Sequence, residues 1–174
     1  MIGYFKTVRE YYQILIDTFL GTRIEPFHRR KGRRTITQAA KFYLFDVGVA
    51  GSLLKRIIQE ERGEEFGRAF EHFILMEILA YRSYKNREFE IQFWRTKSGL
   101  EVDFVLGQGE AAIEIKGTPR VDKNDVRGLA AFAEEFSPRK SILVCNESQE
   151  RLHGKIHLLP WRKFLALLWE GKII

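Results

Sequence analysis

Residues 101–116 read EVDFVLGQGEAAIEIK, and this stretch decides the fold. Two segments that alternate polar and apolar residues flank a glycine-containing turn at residues 107–109. This pattern predicts an antiparallel hairpin. The hairpin brings Asp103 on its first strand close to Glu114 on its second. Lys116 shares a face with Glu114, because residues two apart in a strand point the same way.

The same alternation assigns the first strand to two layers. Three residues are expected on the face that carries the acids: Glu101, Asp103 and Val105. The three residues between and after them are expected in the opposite layer: Val102, Phe104 and Leu106.

The carboxylates of Asp103 and Glu114 point to metal chemistry. Two neighbouring ionised carboxylates repel each other, and Mg²⁺ or Mn²⁺ between them, or the nearby Lys116, relieves that repulsion. The carbonyl of Ile115 is a reasonable third ligand. Lys116 would orient or deprotonate a water molecule and stabilise developing negative charge, so the reaction offered is phosphodiester hydrolysis. The alternative is an exposed hairpin face of salt bridges.

Glu71 adds a third acid to this hypothesis. It lies in residues 63–81, a segment apolar over more than half of a helical circumference and therefore expected to be a central helix. Helical spacing places Glu71 on a stripe with Ile74, Leu75 and Ile78. A carboxylate in such a stripe is costly unless it is paired or binds a metal. The alternative is an acid bonded to a lysine, an arginine or a backbone amide.

The remaining segments indicate an α/β fold, with a mixed sheet sandwiched by helices. Helices are expected at residues 7–20, from Gly48 through Leu54, at 124–136 with Asn124 as the cap, and from Pro160 onward. Strands are expected at residues 22–27, at 40–46 as a buried strand, at 88–94, at 141–146 and at 155–160. The strand at 88–94 and the two strands of the hairpin form a predicted β-meander.

Composition restricts the class of protein. The 174 residues are 45% hydrophobic and 30% charged, which is typical of a globular domain. A net charge of +6 favours a polyanionic partner. The single cysteine, Cys145, excludes internal disulfides and thiolate zinc clusters. The chain has no signal-peptide pattern and no apolar run long enough for a bilayer, so we expect a cytoplasmic protein without a membrane partner.

A helical Glu followed by D…E-x-K on a hairpin resembles the PD-(D/E)xK nuclease superfamily. Five segments in order resemble, more particularly, the nuclease-like C-terminal domain of a family of prokaryotic AAA-type ATPases, mostly catalogued as of unknown function. These segments are TVREYYQILIDTFL, AKFYLFDVGVA, GRAFEHFILMEIL, FWRTKSGLEVDFVL and AIEIKG, and they cover nearly the whole chain. Val102 stands where the superfamily name expects proline.

The resemblance implies a restriction-endonuclease-like core that cleaves DNA with Mg²⁺ or Mn²⁺. Its catalytic residues would be Glu71, Asp103, Glu114 and Lys116, with the three acids as metal ligands. It also implies a nuclease-like domain at residues 36–174, preceded at residues 1–35 by a helix and a basic hairpin left from a winged helix. The alternative is a non-catalytic module that binds DNA or a partner for an ATPase.

The chain lacks the G-x-x-x-x-G-K-[ST] pattern of a P-loop, so no ATP site is expected in it. The resemblance implies an AAA-type ATPase module as a partner, with this chain as the C-terminal portion of a larger protein. Candidate DNA contacts are the basic residues of one cluster and two residues near the site: Arg29, Arg30, Lys31, Arg33, Arg34, Arg95 and Lys97. A solvated turn is the alternative for the cluster.

Overall fold

The computed structural model describes residues 2–28 and 39–174, with side chains from residue 7 onward. The five helices of these residues are α1 (Ile2–Asp17), α2 (Val47–Leu53), α3 (Gly63–Tyr84), α4 (Arg127–Phe136) and α5 (Trp161–Trp169). The eight strands are β1 (Gly21–Pro26), β2 (Lys41–Leu44), β3 (Ile91–Arg95), β4 (Glu101–Leu106), β5 (Ala111–Lys116), β6 (Lys140–Cys145), β7 (Arg151–His153) and β8 (Ile156–Pro160).

The strands form one mixed sheet in the order β2-β1-β3-β4-β5-β6-β8-β7. Its centre is the predicted meander, because β3, β4 and β5 pair antiparallel in succession. Strands β5, β6 and β8 then pair in parallel. The continuous apolar run of β6 reflects this position, since a strand between two parallel neighbours is covered on both faces. The α/β class and the mixed sheet are thus confirmed.

Helices cover both faces of the sheet. One hydrophobic layer packs α3 and α5 against the sheet and includes Ile74, Phe104 and Phe164. The other packs α4 against the opposite face and includes Leu129 and Phe132. Among the described helices, none combines the length and the apolar character that crossing a bilayer requires.

Helix α3 positions the site through its own local signals. Glu64 and Glu65 lie in its first turn and Arg82 in its last, which complements the helix dipole at both ends. Its apolar face, centred on the fully buried Ile74 and Ile78, holds it along the sheet. The central helix predicted from the sequence is confirmed, and it continues to Tyr84.

A bulge in β4 overturns the predicted assignment of its layers. Gln92 pairs with Val105 and Trp94 pairs with Val102, so Phe93 opposes two residues of β4 rather than one. Val102 and Val105 consequently lie together in the α4 layer. Phe104 and Leu106 lie in the α3 layer, so the expectation that Val102 shares their face was wrong.

Other differences concern ends and edges. Asn124 does not cap α4, because Val126 is the cap residue and residues 123–126 form a turn before the helix. Strand β2 forms as expected, but its residues are only partly buried since it is the last strand at one side of the sheet. Strand β7 was not predicted; it is three residues long and exposed, so it carries no alternating apolar pattern.

The predicted boundary near residue 35 and the basic cluster Arg29, Arg30, Lys31, Arg33 and Arg34 lie outside the described residues. Strands from either side of that boundary share the sheet. Strand β1 pairs antiparallel with β2 and parallel with β3.

Gly128→Ala is expected to destabilise the fold by about 1–3 kcal/mol through overpacking. A Cβ at Gly128 would lie 1.9 Å from the carbonyl oxygen of Glu101, so α4 would have to move away from β4. Urea unfolding of both proteins measures the loss.

Gly51→Ala is the matched control for that variant. A Cβ at Gly51 meets no atom within 4 Å, and alanine is the better helix former, so unchanged or higher stability is expected. Equal stability of Gly128→Ala and the parent protein would contradict the close packing of α4 on β4.

Candidate active site

Asp103 lies where the ladder between β4 and β5 stops. The last paired residues are Phe104 and Ile113, and beyond them the two strands no longer pair residue against residue. The carboxylate of Asp103 replaces the next backbone partner, because its Oδ2 accepts a hydrogen bond of 2.8 Å from the Ile115 amide. Asp103 is only 8% exposed. This bond fixes a buried carboxylate next to the E-x-K segment.

Glu114 and Lys116 form the second part of the site. Glu114 is 5% exposed, and its Oε1 lies 2.7 Å from Nζ of Lys116. Its other oxygen, Oε2, is buried and has no hydrogen-bond partner among the residues that the structure describes. An unsatisfied buried carboxylate oxygen is costly. The burial of Asp103 and Glu114 also contradicts the alternative of an exposed salt-bridge face.

Glu71 reaches this end of the sheet from α3. Its side chain is 23% exposed, so it is less buried than the apolar stripe predicted. The hydroxyl of Tyr43 donates a short hydrogen bond to Glu71 Oε1. Nζ of Lys41 lies 3.3 Å from the same oxygen. Glu71 thus has the lysine partner that the sequence left open as the alternative to a metal.

Lys41 stands at the centre of the acid cluster. Its Nζ lies 2.6 Å from Oε1 of Glu101, 3.3 Å from Oε1 of Glu71 and 3.8 Å from Oδ1 of Asp103. One ammonium group therefore links an acid of α3 to two acids of β4. Glu71 and Asp103 thus both lie within 4 Å of the Lys41 ammonium.

The acids of the hairpin hold protons unusually tightly. Burial raises the pKa of Asp103 well above its usual range, and repulsion from Glu114 and Glu71 raises it further. Burial also raises the pKa of Glu114 to about 7, although Lys116 opposes this shift. The effect of Glu114 on the pKa of Asp103 indicates that the two carboxyl groups lie close enough to interact.

The basic and phenolic groups respond to the same acids. Burial lowers the pKa of Lys41, but Glu71, Asp103 and Glu101 outweigh it and the net shift is upward. Burial likewise opposes the upward shift that Glu114 imposes on the pKa of Lys116. Burial, followed by the charge of Glu71, raises the pKa of Tyr43. Both lysines are thus held as cations.

An open cleft of about 720 Å³ adjoins one acid of the site, Glu71. Lys41 and Glu71 line it together with three arginines: Arg56, Arg68 and Arg95. Arg95, one of the predicted DNA contacts, also lies 3.6 Å from Glu101. Lys97, another predicted contact, is exposed in the turn between β3 and β4. Each arginine also forms an ion pair with a glutamate, Arg56 with Glu65, Arg68 with Glu64 and Arg95 with Glu101, so the cleft carries charges of both signs.

The donor set suits a hard divalent cation. Asp103, Glu114 and Glu71 supply carboxylate oxygens, and Ile115 supplies a backbone carbonyl, which are the ligand types that Mg²⁺ and Mn²⁺ prefer. The unpartnered Oε2 of Glu114 is the donor most in need of a cation. Within residues 2–28 and 39–174, no three His, Cys, Asp or Glu side chains stand ready around one metal position.

The chain matches the family described as "Domain of unknown function (DUF4143)" over residues 66–164, more than half of its length. It belongs to that family. A second family with the same kind of description, DUF8612, matches residues 4–59. No curated protein and no solved structure matches the chain.

Residues of the candidate site fall within both family matches. Glu71, Asp103, Glu114 and Lys116 lie within the DUF4143 match. Lys41 lies within the DUF8612 match. The acids and their internal cation therefore come from different family segments.

Sequence reasoning missed three members of the site, Lys41, Tyr43 and Glu101. Lys41 and Tyr43 are two apart in a predicted strand, which places them on one face, but that face had no known neighbour in the sequence. Glu101 was placed on the face of Asp103 without a role. Arg56 and Arg68 were also missed, because only the folded chain brings them to the cleft.

Glu114→Gln is expected to flatten the pH dependence of stability in metal-free protein. The folded pKa of Glu114, about 7, exceeds its ordinary value of 4.5, so the folded state binds this proton more tightly than the unfolded chain does. Stability is then lost as the pH rises from the ordinary value through the folded one. The variant should avoid a loss of about 2 kcal/mol.

Urea unfolding in EDTA between pH 5 and pH 8 measures this difference. The exposed Glu134→Gln is the control and should follow the parent protein. A pH profile of Glu114→Gln that parallels the parent profile would refute a high pKa for Glu114.

Proposed function

We propose that this protein is a nuclease-like enzyme that hydrolyses DNA phosphodiester bonds with Mg²⁺ or Mn²⁺, on a restriction-endonuclease-like core. The observation that carries the proposal is the buried pair Asp103 and Glu114 with Lys116 beside it. Asp103 bonds the Ile115 amide, while Glu114 keeps one oxygen without a partner. Structural salt bridges rarely leave a buried carboxylate oxygen unsatisfied.

Each residue has a part in this proposal. Asp103, Glu114 and the Ile115 carbonyl would hold the metal, with Glu71 as the acid from the helix. The bound metal would supply Lewis-acid assistance and a more acidic water. Lys116, 2.7 Å from Glu114, would orient the attacking water and stabilise charge developing on the phosphate. The hydrogen bond to the Ile115 amide would hold Asp103 in one orientation.

The charge distribution supports a nucleic acid as the substrate. The cleft beside Glu71 has three arginines in its wall, each also paired with a glutamate, and the whole chain carries a net charge of +6. Such a surface attracts phosphates, and phosphate contacts supply most of the non-specific affinity for DNA. Arg95 and Lys97 would contact the backbone near the scissile bond, and the cluster at residues 29–34 would extend this surface.

The arrangement of elements supports the restriction-endonuclease-like core as well. A helix carrying an acid packs on a meander whose second and third strands carry D…E-x-K, and parallel strands follow. The resemblance to the C-terminal domain of AAA-type ATPases further suggests such an ATPase as a partner.

Lys41 favours a second function, a non-catalytic module that binds DNA or a partner for an ATPase. Its ammonium already neutralises part of the acid cluster. A cluster balanced by an internal cation can serve as a structural element without any metal. The experiments below separate the two functions.

Asp103→Asn and Lys116→Met are each expected to lower Mn²⁺-dependent DNA cleavage at least about 100-fold, because each removes a group that contacts the reacting centre. The assay compares supercoiled, linear and single-stranded DNA with and without EDTA. Glu134→Gln, an exposed acid of α4, should cleave like the parent protein. No metal-dependent cleavage by the parent protein, or unchanged cleavage by both variants, would exclude the enzyme.

Arg95→Ala combined with Lys97→Ala is expected to weaken DNA binding and its dependence on salt. Each lost phosphate contact lowers the slope of log K against log salt by about 0.9, so the slope should fall by about 1–2. Fluorescence anisotropy at several salt concentrations gives the slope.

A variant with the same loss of charge elsewhere controls this measurement. Arg139→Ala with Lys163→Ala removes two exposed cations, one before β6 and one on α5, and should leave the slope unchanged. Equal slopes for the two double variants would remove Arg95 and Lys97 from the DNA-binding surface.

A further inference from the structure

The position of Lys41 among three carboxylates has a consequence for any metal at this site. Its Nζ lies within 4 Å of Glu71, Glu101 and Asp103, and two of these acids are among the proposed metal ligands. The Lys41 ammonium and a divalent cation would compete for these oxygens, because two cations at such a separation repel each other.

The net charge of the acid cluster also favours competition between Lys41 and a metal. Glu114 has Lys116 as its own partner. Glu71, Glu101 and Asp103 share Lys41, and Arg95 lies 3.6 Å from Glu101, so these three acids face two positive charges when all are ionised. Tyr43 contributes a neutral hydroxyl to Glu71. The cluster therefore attracts further positive charge, yet Lys41 occupies its centre.

The Lys41 ammonium has space to move away from the acids. Lys41 lines the open cleft of about 720 Å³, and its side chain is 25% exposed. A lysine has four rotatable side-chain bonds, so its ammonium can leave the acids while β2 stays paired with β1. In the cleft it would lie near the arginines that line the wall.

We infer that Lys41 is an exchangeable internal cation that competes with a divalent metal for Glu71, Glu101 and Asp103. The inference rests on the metal site proposed above, and it adds Glu101 to the acids that respond to the metal. Lys41 is a positioning residue: it holds the acids together without metal and yields them when metal binds.

Calorimetric titration of Mn²⁺ into the parent protein, Lys41→Met and Lys41→Gln tests the competition in the absence of DNA. Removal of the ammonium should tighten Mn²⁺ binding about tenfold or more, because the metal no longer has to displace a cation. Lys41→Gln covers the case in which Lys41→Met does not fold, since its amide can still donate to the acids. Lys163→Met, an exposed lysine of α5, should bind Mn²⁺ like the parent protein.

Thermal melts provide a readout independent of activity. In EDTA, Lys41→Met should melt below the parent protein, because the acids lose their cation. Saturating Mn²⁺ should raise its melting temperature more than that of the parent protein. Lys41→Arg keeps the charge and should show neither the tighter binding nor the larger rise.

The outcomes separate this inference from the proposed enzyme. Tighter Mn²⁺ binding by the neutral variants supports the competition. Binding by these variants but not by the parent protein also supports it, and assigns the native chain to the non-catalytic function. If the parent protein binds Mn²⁺ and the neutral variants bind it no more tightly, the competition is refuted and the proposed enzyme stands. No binding by any of them overturns both.

Discussion

The hydrogen bond from the Ile115 amide to the Asp103 carboxylate is the interaction on which the site depends. It forms where the β4–β5 ladder ends, and the Asp103 side chain there accepts the hydrogen bond of a β5 amide in place of a backbone carbonyl. The same bond holds a buried carboxyl group at this end of the sheet. Glu114 lies near that group, because the alternation of β5 fixes its direction. The electrostatics of the whole region follow from this arrangement.

Much of this fold could be predicted from the sequence where one pattern dominated. The meander is local, with short turns, so alternation and glycines identified its three strands. Helix α3 has a long apolar face, and Pro160 marks the beginning of α5. The placement of Asp103, Glu114 and Lys116 near one another follows from the same local geometry. Such features need no knowledge of distant residues.

The remaining features depend on contacts that no local pattern records. The bulge opposite Phe93 moves Val102 out of the layer of Phe104 and Leu106, which simple alternation along β4 does not predict. Asn124 offers a capping side chain, but the chain turns there and the helix begins later. Lys41 lies on the edge strand β2 and contacts Glu71, thirty residues further along the chain. Only the folded chain brings β2 and α3 together. Local patterns such as alternation and helical spacing therefore could not predict this ion pair.

The division of the site between two family segments makes each segment depend on the other for its charge partners. The segment at residues 4–59 contributes the cation, and the segment at residues 66–164 contributes the acids. A relative that kept only the second segment would retain the acids with Lys116 as their remaining lysine partner. Glu71, Glu101 and Asp103 therefore depend on the segment at residues 4–59 for their lysine partner.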